Sequence, residues 1–323
     1  RDPVTLRPRP PPLPFLSYHA RRARRDLPMS ELTTDRAATD RSLGTGSLAG
    51  GRPIRKDETD IVDRGIHVES WLPERRSRRR PLVLVHGELG GSWVWERFLG
   101  FFAGRGWEAH AVNLRNHHWS QSADPATLSF DTYLEDLLAV LARHGDSAVV
   151  VGHGMGGLLA LKAAERHPVA GLVLLSPEPP RELRTPARPH ELREVPEAYG
   201  KSVIGWETLP EKLQREHRDL TLPDVLRIQH LLGQKPREAG AARRQVLHGV
   251  PVDRARFDGL PTLVIGAGLD RYVPEASSER LAEWLGARYE PFGAHSHYGL
   301  ILGESAYVQV AETVRSFLES NRL

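Results

Sequence analysis

The chain has 323 residues, no cysteine, and 44 Lys and Arg against 41 Asp and Glu. The missing cysteines exclude disulfides, thiolate metal sites and cysteine nucleophiles, and no apolar run approaches the roughly 18 residues a membrane span needs. The basic balance is local: residues 1–28 hold seven Arg and two acidic groups, and the remainder carries a net charge of −2. Nothing in that remainder favours a nucleic-acid partner, and with no span in view the expected location is cytoplasmic.

Residues 1–52 read as an unfolded Pro/Arg/Gly-rich segment. Pro10-Pro11-Pro12 and Pro14 cannot join a helix or sheet interior, Arg21-Arg22-Ala23-Arg24-Arg25 repels itself, and Leu43 to Gly51 is small and flexible. An Arg-rich, acid-poor start resembles a transit peptide and also suits an anionic surface. The preferred reading is an over-extended start ahead of Met29-Ser30-Glu31.

Thr59 to Val62 and Ile66 to Leu72, joined at Asp63-Arg64-Gly65, predict a hairpin. The arginines between 75 and 80 read as a solvated loop. Pro81-Leu82-Val83-Leu84-Val85 has the unbroken apolar character of a central parallel strand. It ends in His86-Gly87-Glu88-Leu89-Gly90-Gly91, and Ser92 is expected to cap a helix reaching about Gly104. A strand follows at Trp107 to Val112. Asp131 to His144 is helical, with Tyr133, Leu134, Leu137, Leu138 and Leu141 on one face.

Ala148 to Val151 is a β-branched run that enters Gly152-His153-Gly154-Met155-Gly156-Gly157 and then an Ala- and Leu-rich helix to about Arg166. This strand, glycine turn and helix is the setting of the nucleophile elbow G-x-S-x-G, with Gly154 at the serine position. Val169 to Leu175 is another strand. Residues 177–258 break the rhythm with clustered prolines and helical stretches near 209–218, 222–232 and 236–247. Alternation resumes with strand 262–265, helix 275–285, strand 288–292 and a closing helix at about 304–319.

The pattern predicts a mostly parallel central sheet with helices on both faces. A core of 53–176 and 259–323 is interrupted by a helical cap at 177–258. Ligands of such sheets sit at the carboxyl ends of the strands, where His86, Gly154, Asp270 and His295 all fall.

On His86-Gly87, Gly152 to Gly157, Val264 to Pro274 and Pro291-Phe292-Gly293-Ala294-His295, in that order and each at a strand end, the chain resembles the α/β-hydrolase superfamily. The resemblance implies Asp270 as acid, His295 as base, and an oxyanion hole from the amides of Met155 and Glu88. It also implies that His153 packs behind the elbow. Gly154 removes the attacking hydroxyl while suiting a strained backbone, and reads as natural because deliberate inactivation would sooner choose alanine.

Several residues compete for roles. His297 rivals His295 as base. His86, His117, Trp93 and His297 are candidates for the pocket wall, and the polar stretch Asn113 to Ser120 is another. Glu178 is a second-choice acid. Glu88 sits awkwardly beside an oxyanion hole, pointing to solvent or serving as an extra acid–base group. His295, His297 and the distant His117-His118 fall short of the about three ligands of a zinc site, so no metal and no cofactor are expected.

Two functions remain. One is a small-molecule enzyme using the His–Asp pair as general base, for hydrolysis by an activated water or for lyase, isomerase or cyclase chemistry. The alternative is a catalytically silent hydrolase relative that binds a small molecule or a protein. The retained acid and histidine favour the enzyme.

Overall fold

The computed structural model describes residues 54–61, 64–75, 77–233 and 238–323. The segment expected to be unfolded, 1–52, lies outside them. In chain order the strands are β1 (Ile54–Ile61), β2 (Ile66–Pro73), β3 (Leu82–Val85), β4 (Ala109–Asn113), β5 (Val149–His153), β6 (Gly171–Leu175), β7 (Ala198–Tyr199), β8 (Glu238–Ala239), β9 (Thr262–Ala267) and β10 (Arg288–Phe292). The helices are α1 (Glu96–Ala103), α2 (Phe130–Leu141), α3 (Met155–Arg166), α4 (Pro189–Glu194), α5 (Pro210–Glu216), α6 (Leu222–Leu231), α7 (Gly240–His248), α8 (Glu275–Leu285), α9 (Gly299–Leu302) and α10 (Ala306–Ser320).

Eight strands form one sheet in the order β1-β2-β4-β3-β5-β6-β9-β10. The two pairings that involve β2 are antiparallel, and every other pairing in this sheet is parallel. Alternate side chains of a strand face opposite sides, so the apolar strands serve two cores. Leu82, Leu84, Val149, Val151, Val173 and Ile265 pack with α1 and α10, while Val83, Val85, Val150, Leu172 and Val264 pack with α2, α3 and α8. Burial on both faces is why these strands are unbroken apolar runs.

Local differences from expectation have local causes. Ser92 does not cap α1; it is buried in a 3₁₀ turn, Ser92–Trp95, and its amide donates to Asn113 Oδ1 at 2.6 Å. The clustered prolines of 177–196 conceal α4, which places Pro189 in its first turn, where a missing N–H costs nothing. The segment between β6 and β9 leaves and re-enters one sheet, because those strands pair directly from Leu172 opposite Thr262 to Leu175 opposite Ile265. Within it, β7 and β8 form a separate antiparallel pair.

Candidate active site

The turn from β5 into α3 organises the site. Gly154 adopts φ +57° and ψ −123°, a region that favours glycine. Its amide donates to Leu175 O at 3.1 Å, and its carbonyl accepts from the amides of Gly157 and Glu178, both at 3.0 Å. Gly156 lets α3 press against β3, since a Cβ there would lie 2.4 Å from the carbonyl oxygen of Val85. Met155 begins the helix, so its N–H has no acceptor within α3, and the residue lines the pocket.

Asp270 follows β9. Its Oδ1 accepts from the amides of Tyr272 at 2.7 Å and Val273 at 2.9 Å, and its Oδ2 accepts from His297 Nδ1 at 2.6 Å. Burial works to raise this carboxyl, but the His297 charge and hydrogen bond and the two amides outweigh it and hold it below the ordinary carboxylate value. With Nδ1–H directed at the carboxylate, the neutral ring presents Nε2 as an acceptor. That nitrogen points at the turn: a Cβ placed on Gly154 would lie 3.1 Å from it.

The partner of Asp270 is therefore His297, which corrects the expected pairing with His295. The His295 carbonyl is committed to the amide of Leu269 at 2.9 Å. Its ring packs edge-on against Phe292 at 5.1 Å between centroids, and His295 does not line the pocket. The chain needs two more residues to turn back over β5. Once there, the His297 carbonyl accepts from His153 Nε2 at 3.0 Å, so His153 does hold the site from behind. Burial, foremost, keeps the His153 imidazole well below its usual value and hence neutral.

A cavity of about 250 Å³ opens above the turn. Gly87, Glu88, Gly154, Met155 and His297 line it, together with Ile204, Val246 and Leu247 from the segment between β6 and β9. Of the proposed wall residues, only His297 is there. His86 is buried, with Nδ1 donating to Gly87 O at 2.7 Å and Nε2 accepting from the Leu114 amide at 3.2 Å. Trp93 is core, and His117 is buried against Glu238. The Asn113 to Ser120 stretch is likewise structural: Ser120 Oγ donates to Asn113 O and accepts from the His67 amide.

Two features were invisible in sequence. Glu88 does not face solvent; Arg243 of α7 donates to its Oε2 at 2.6 Å. Burial raises the Glu88 carboxyl to about 7, with Arg243 pulling it down and Glu238 and Glu178 pushing it up. Glu178 is held by Arg184, and the carboxylate bonded to His297 is that of Asp270. The second feature is Glu238 of β8, wholly buried, which accepts from the Leu89 amide at 2.8 Å, His117 Nε2 at 2.9 Å and Tyr133 Oη at 2.5 Å. Leu89 has φ +57°, so this bond holds a strained peptide next to the Glu88 amide.

Comparison with known proteins places the fold and site in context. The alpha/beta hydrolase family profile matches residues 82–313, and the chain belongs to that family. Over 231 residues it is 30% identical to RutD of Variovorax paradoxus (strain S110), a protein provisionally assigned to carbamate hydrolysis, covering 67% of this chain and 85% of that one. It is 27% identical over 97 residues to pyrethroid hydrolase of Sphingobium wenxiniae, covering 29% of this chain and 35% of that one. The match to that hydrolase and to Esterase PIR7B of Oryza sativa subsp. japonica spans about a third of their length, 35% in each case. Among solved structures, the bromoperoxidase from Bacillus anthracis has the same fold with a TM-score of 0.62 at 16% identity, covering 82% of this chain and all 100% of that one. MenH from S. aureus gives 0.62 at 19%, covering 79% and 99%.

Proposed function

We propose that the chain is a small-molecule enzyme in which His297, oriented by Asp270, acts as general base toward an oxyanion held by the amides of Met155 and Glu88. The observation that carries this reading is the placement of His297 Nε2 over the Gly154 turn, with Nδ1 fixed on Asp270 at 2.6 Å. A base must come within about 2.6–3.2 Å of the atom whose proton it takes, and the space a side chain would fill at Gly154 lies at that range. With no hydroxyl at the turn, the proton comes from a water or from the substrate. The reaction is then hydrolysis by an activated water, or lyase, isomerase or cyclase chemistry through an enolate or alkoxide. Relatives named as hydrolases and esterases support the hydrolytic form. Arg243 supports the oxyanion assignment for Glu88, because it offsets a carboxylate that would oppose developing negative charge.

Gly154→Ser tests this. It sets a hydroxyl beside a base already oriented for it, so the variant is expected to gain hydrolysis of 4-nitrophenyl acetate. His297→Ala in that background should abolish the gain, and His295→Ala should leave it. A folded Gly154→Ser protein with no gain argues instead for a silent relative that binds a small molecule or a protein.

A further inference from the structure

The charged lining of the cavity has a composition that general-base chemistry does not require. Three guanidiniums line it, Arg184, Arg243 and Arg271, against the two carboxylates Glu88 and Glu178. Each arginine is tethered to a carboxylate through one nitrogen: Arg184 Nη2 to Glu178, Arg243 Nη1 to Glu88, and Arg271 Nη1 to Glu216. Arg184 Nε also donates to Pro179 O at 3.4 Å, and Arg243 also bonds to Tyr199. A guanidinium has five N–H donors, so these contacts fix the groups in place and still leave donors for a further partner.

Arg184 and Arg243 stand on one wall. The turn carrying Arg184 packs on the end of α7, where the Arg181 amide donates to Val250 O at 2.9 Å and Arg181 Nε to Gly249 O at 3.0 Å. The wall also reaches the reactive turn, since Glu178, which holds Arg184, donates its amide to Gly154 O. The remaining lining includes Val94, Val246, Leu247 and Ile204. Val246 and Leu247 follow Arg243 by three and four residues on the same face of α7, so apolar surface adjoins the cationic group.

We propose that the cavity takes a small apolar molecule bearing a carboxylate, its acid group gripped by Arg243 and Arg184 and its reacting carbon set over Gly154. This rests on the general-base reading for what happens at that carbon, and on the arginines alone for the binding. A planar carboxylate matches the guanidinium fork in a way that an amide does not. Near neutral pH, Glu88 is only partly ionised, so Arg243 has charge to offer.

Calorimetric titration of the unaltered chain with phenylacetate and with its neutral isostere phenylacetamide decides the matter. The acid is expected to bind at least about tenfold more tightly, and added sodium chloride should weaken the acid and spare the amide. Arg243→Gln and, separately, Arg184→Gln should each remove about tenfold of the acid's affinity without changing the amide's. If one variant does not fold, the other together with the salt series carries the test. Equal binding of the two probes, no binding by either, or an acid affinity indifferent to both substitutions overturns the proposal. Because this measurement reads binding and not turnover, its failure leaves the general-base reading standing. An acid-selective cavity in a protein inert after Gly154→Ser would overturn that reading alone.

Discussion

Two glycines of one turn do different work. Gly154 supplies a positive φ, whereas Gly156 supplies nearness, its missing Cβ leaving room for the carbonyls of Val85 and His86. Substitution should separate the two. Gly154→Ser has space, with only the movable His297 ring at 3.1 Å, so it should cost about 1–3 kcal/mol of backbone strain in urea unfolding and keep the fold. Gly156→Ala drives a methyl into backbone 2.4 Å away that cannot swing aside. It should cost at least as much as the upper end of typical overpacking, about 3 kcal/mol, and should open the gap between α3 and β3. A Gly156→Ala protein as stable as the parent would show that the helix is free to lift.

The elements that complete the site are joined by contacts the sequence cannot announce. Asp270 is legible because a short polar turn after an apolar strand is a local pattern. The choice between His295 and His297 is not, since both ride an irregular loop with no period to mark which ring turns inward. Glu238 and Arg243 were missed for a different reason: they reach Leu89 and Glu88 across 149 and 155 residues, from a segment whose residues follow no motif. The sheet itself was readable because burial on both faces writes itself as unbroken apolar runs, as at Leu82–Val85. Glu238 is the element-level tie. It binds β8 to the loop after β3 through Leu89, to the loop after β4 through His117, and to α2 through Tyr133. Glu238→Ala leaves the buried His117 ring, the Tyr133 hydroxyl and the Leu89 amide without their shared acceptor, so a loss of about 3–5 kcal/mol is expected, with hydrogen exchange of the Leu89 amide accelerated. Glu238→Gln keeps an acceptor oxygen and should retain the slow Leu89 exchange. Fast exchange in both variants would mean that the charge, and not the hydrogen bond, holds that loop.

At the scale of the whole molecule, buried imidazoles set the response to acid. His86 and His110 are both held at about 3, by burial above all, and then by the neighbouring rings of His117 and His144 respectively. Between the ordinary histidine value of 6.5 and about 3, the unfolded chain therefore binds protons that the folded chain refuses. Stability must fall as pH drops through that window, by at most about 1.4 kcal/mol per histidine for each pH unit. Glu238 acts in the same direction lower down. Burial opposes its ionisation, but His117 and the bonds from Tyr133 and Leu89 hold it at about 2, so its contribution is lost between about 4.5 and 2. His117 acts in the opposite direction: burial would lower it, yet Glu238 raises it, and its contribution is complete below 6.5 and lost as pH rises through its folded value. Glu88, raised to about 7, takes up its proton first in the folded chain and offsets about one histidine's share between about 7 and 4.5. Urea midpoints measured from pH 8 to pH 4 should thus rise toward neutrality and fall on the acid side, most steeply below about 4.5. His110→Gln is the informative variant. Its ring sits at the side of β4, bonded to Ser70 Oγ at 2.8 Å, where a glutamine can keep a polar contact without a titrating group. The acid limb of the variant should be shallower than that of the parent by one histidine's share. Two limbs of equal slope would mean that the His110 imidazole is protonated in the folded protein, and that burial there is too slight to exclude the charge.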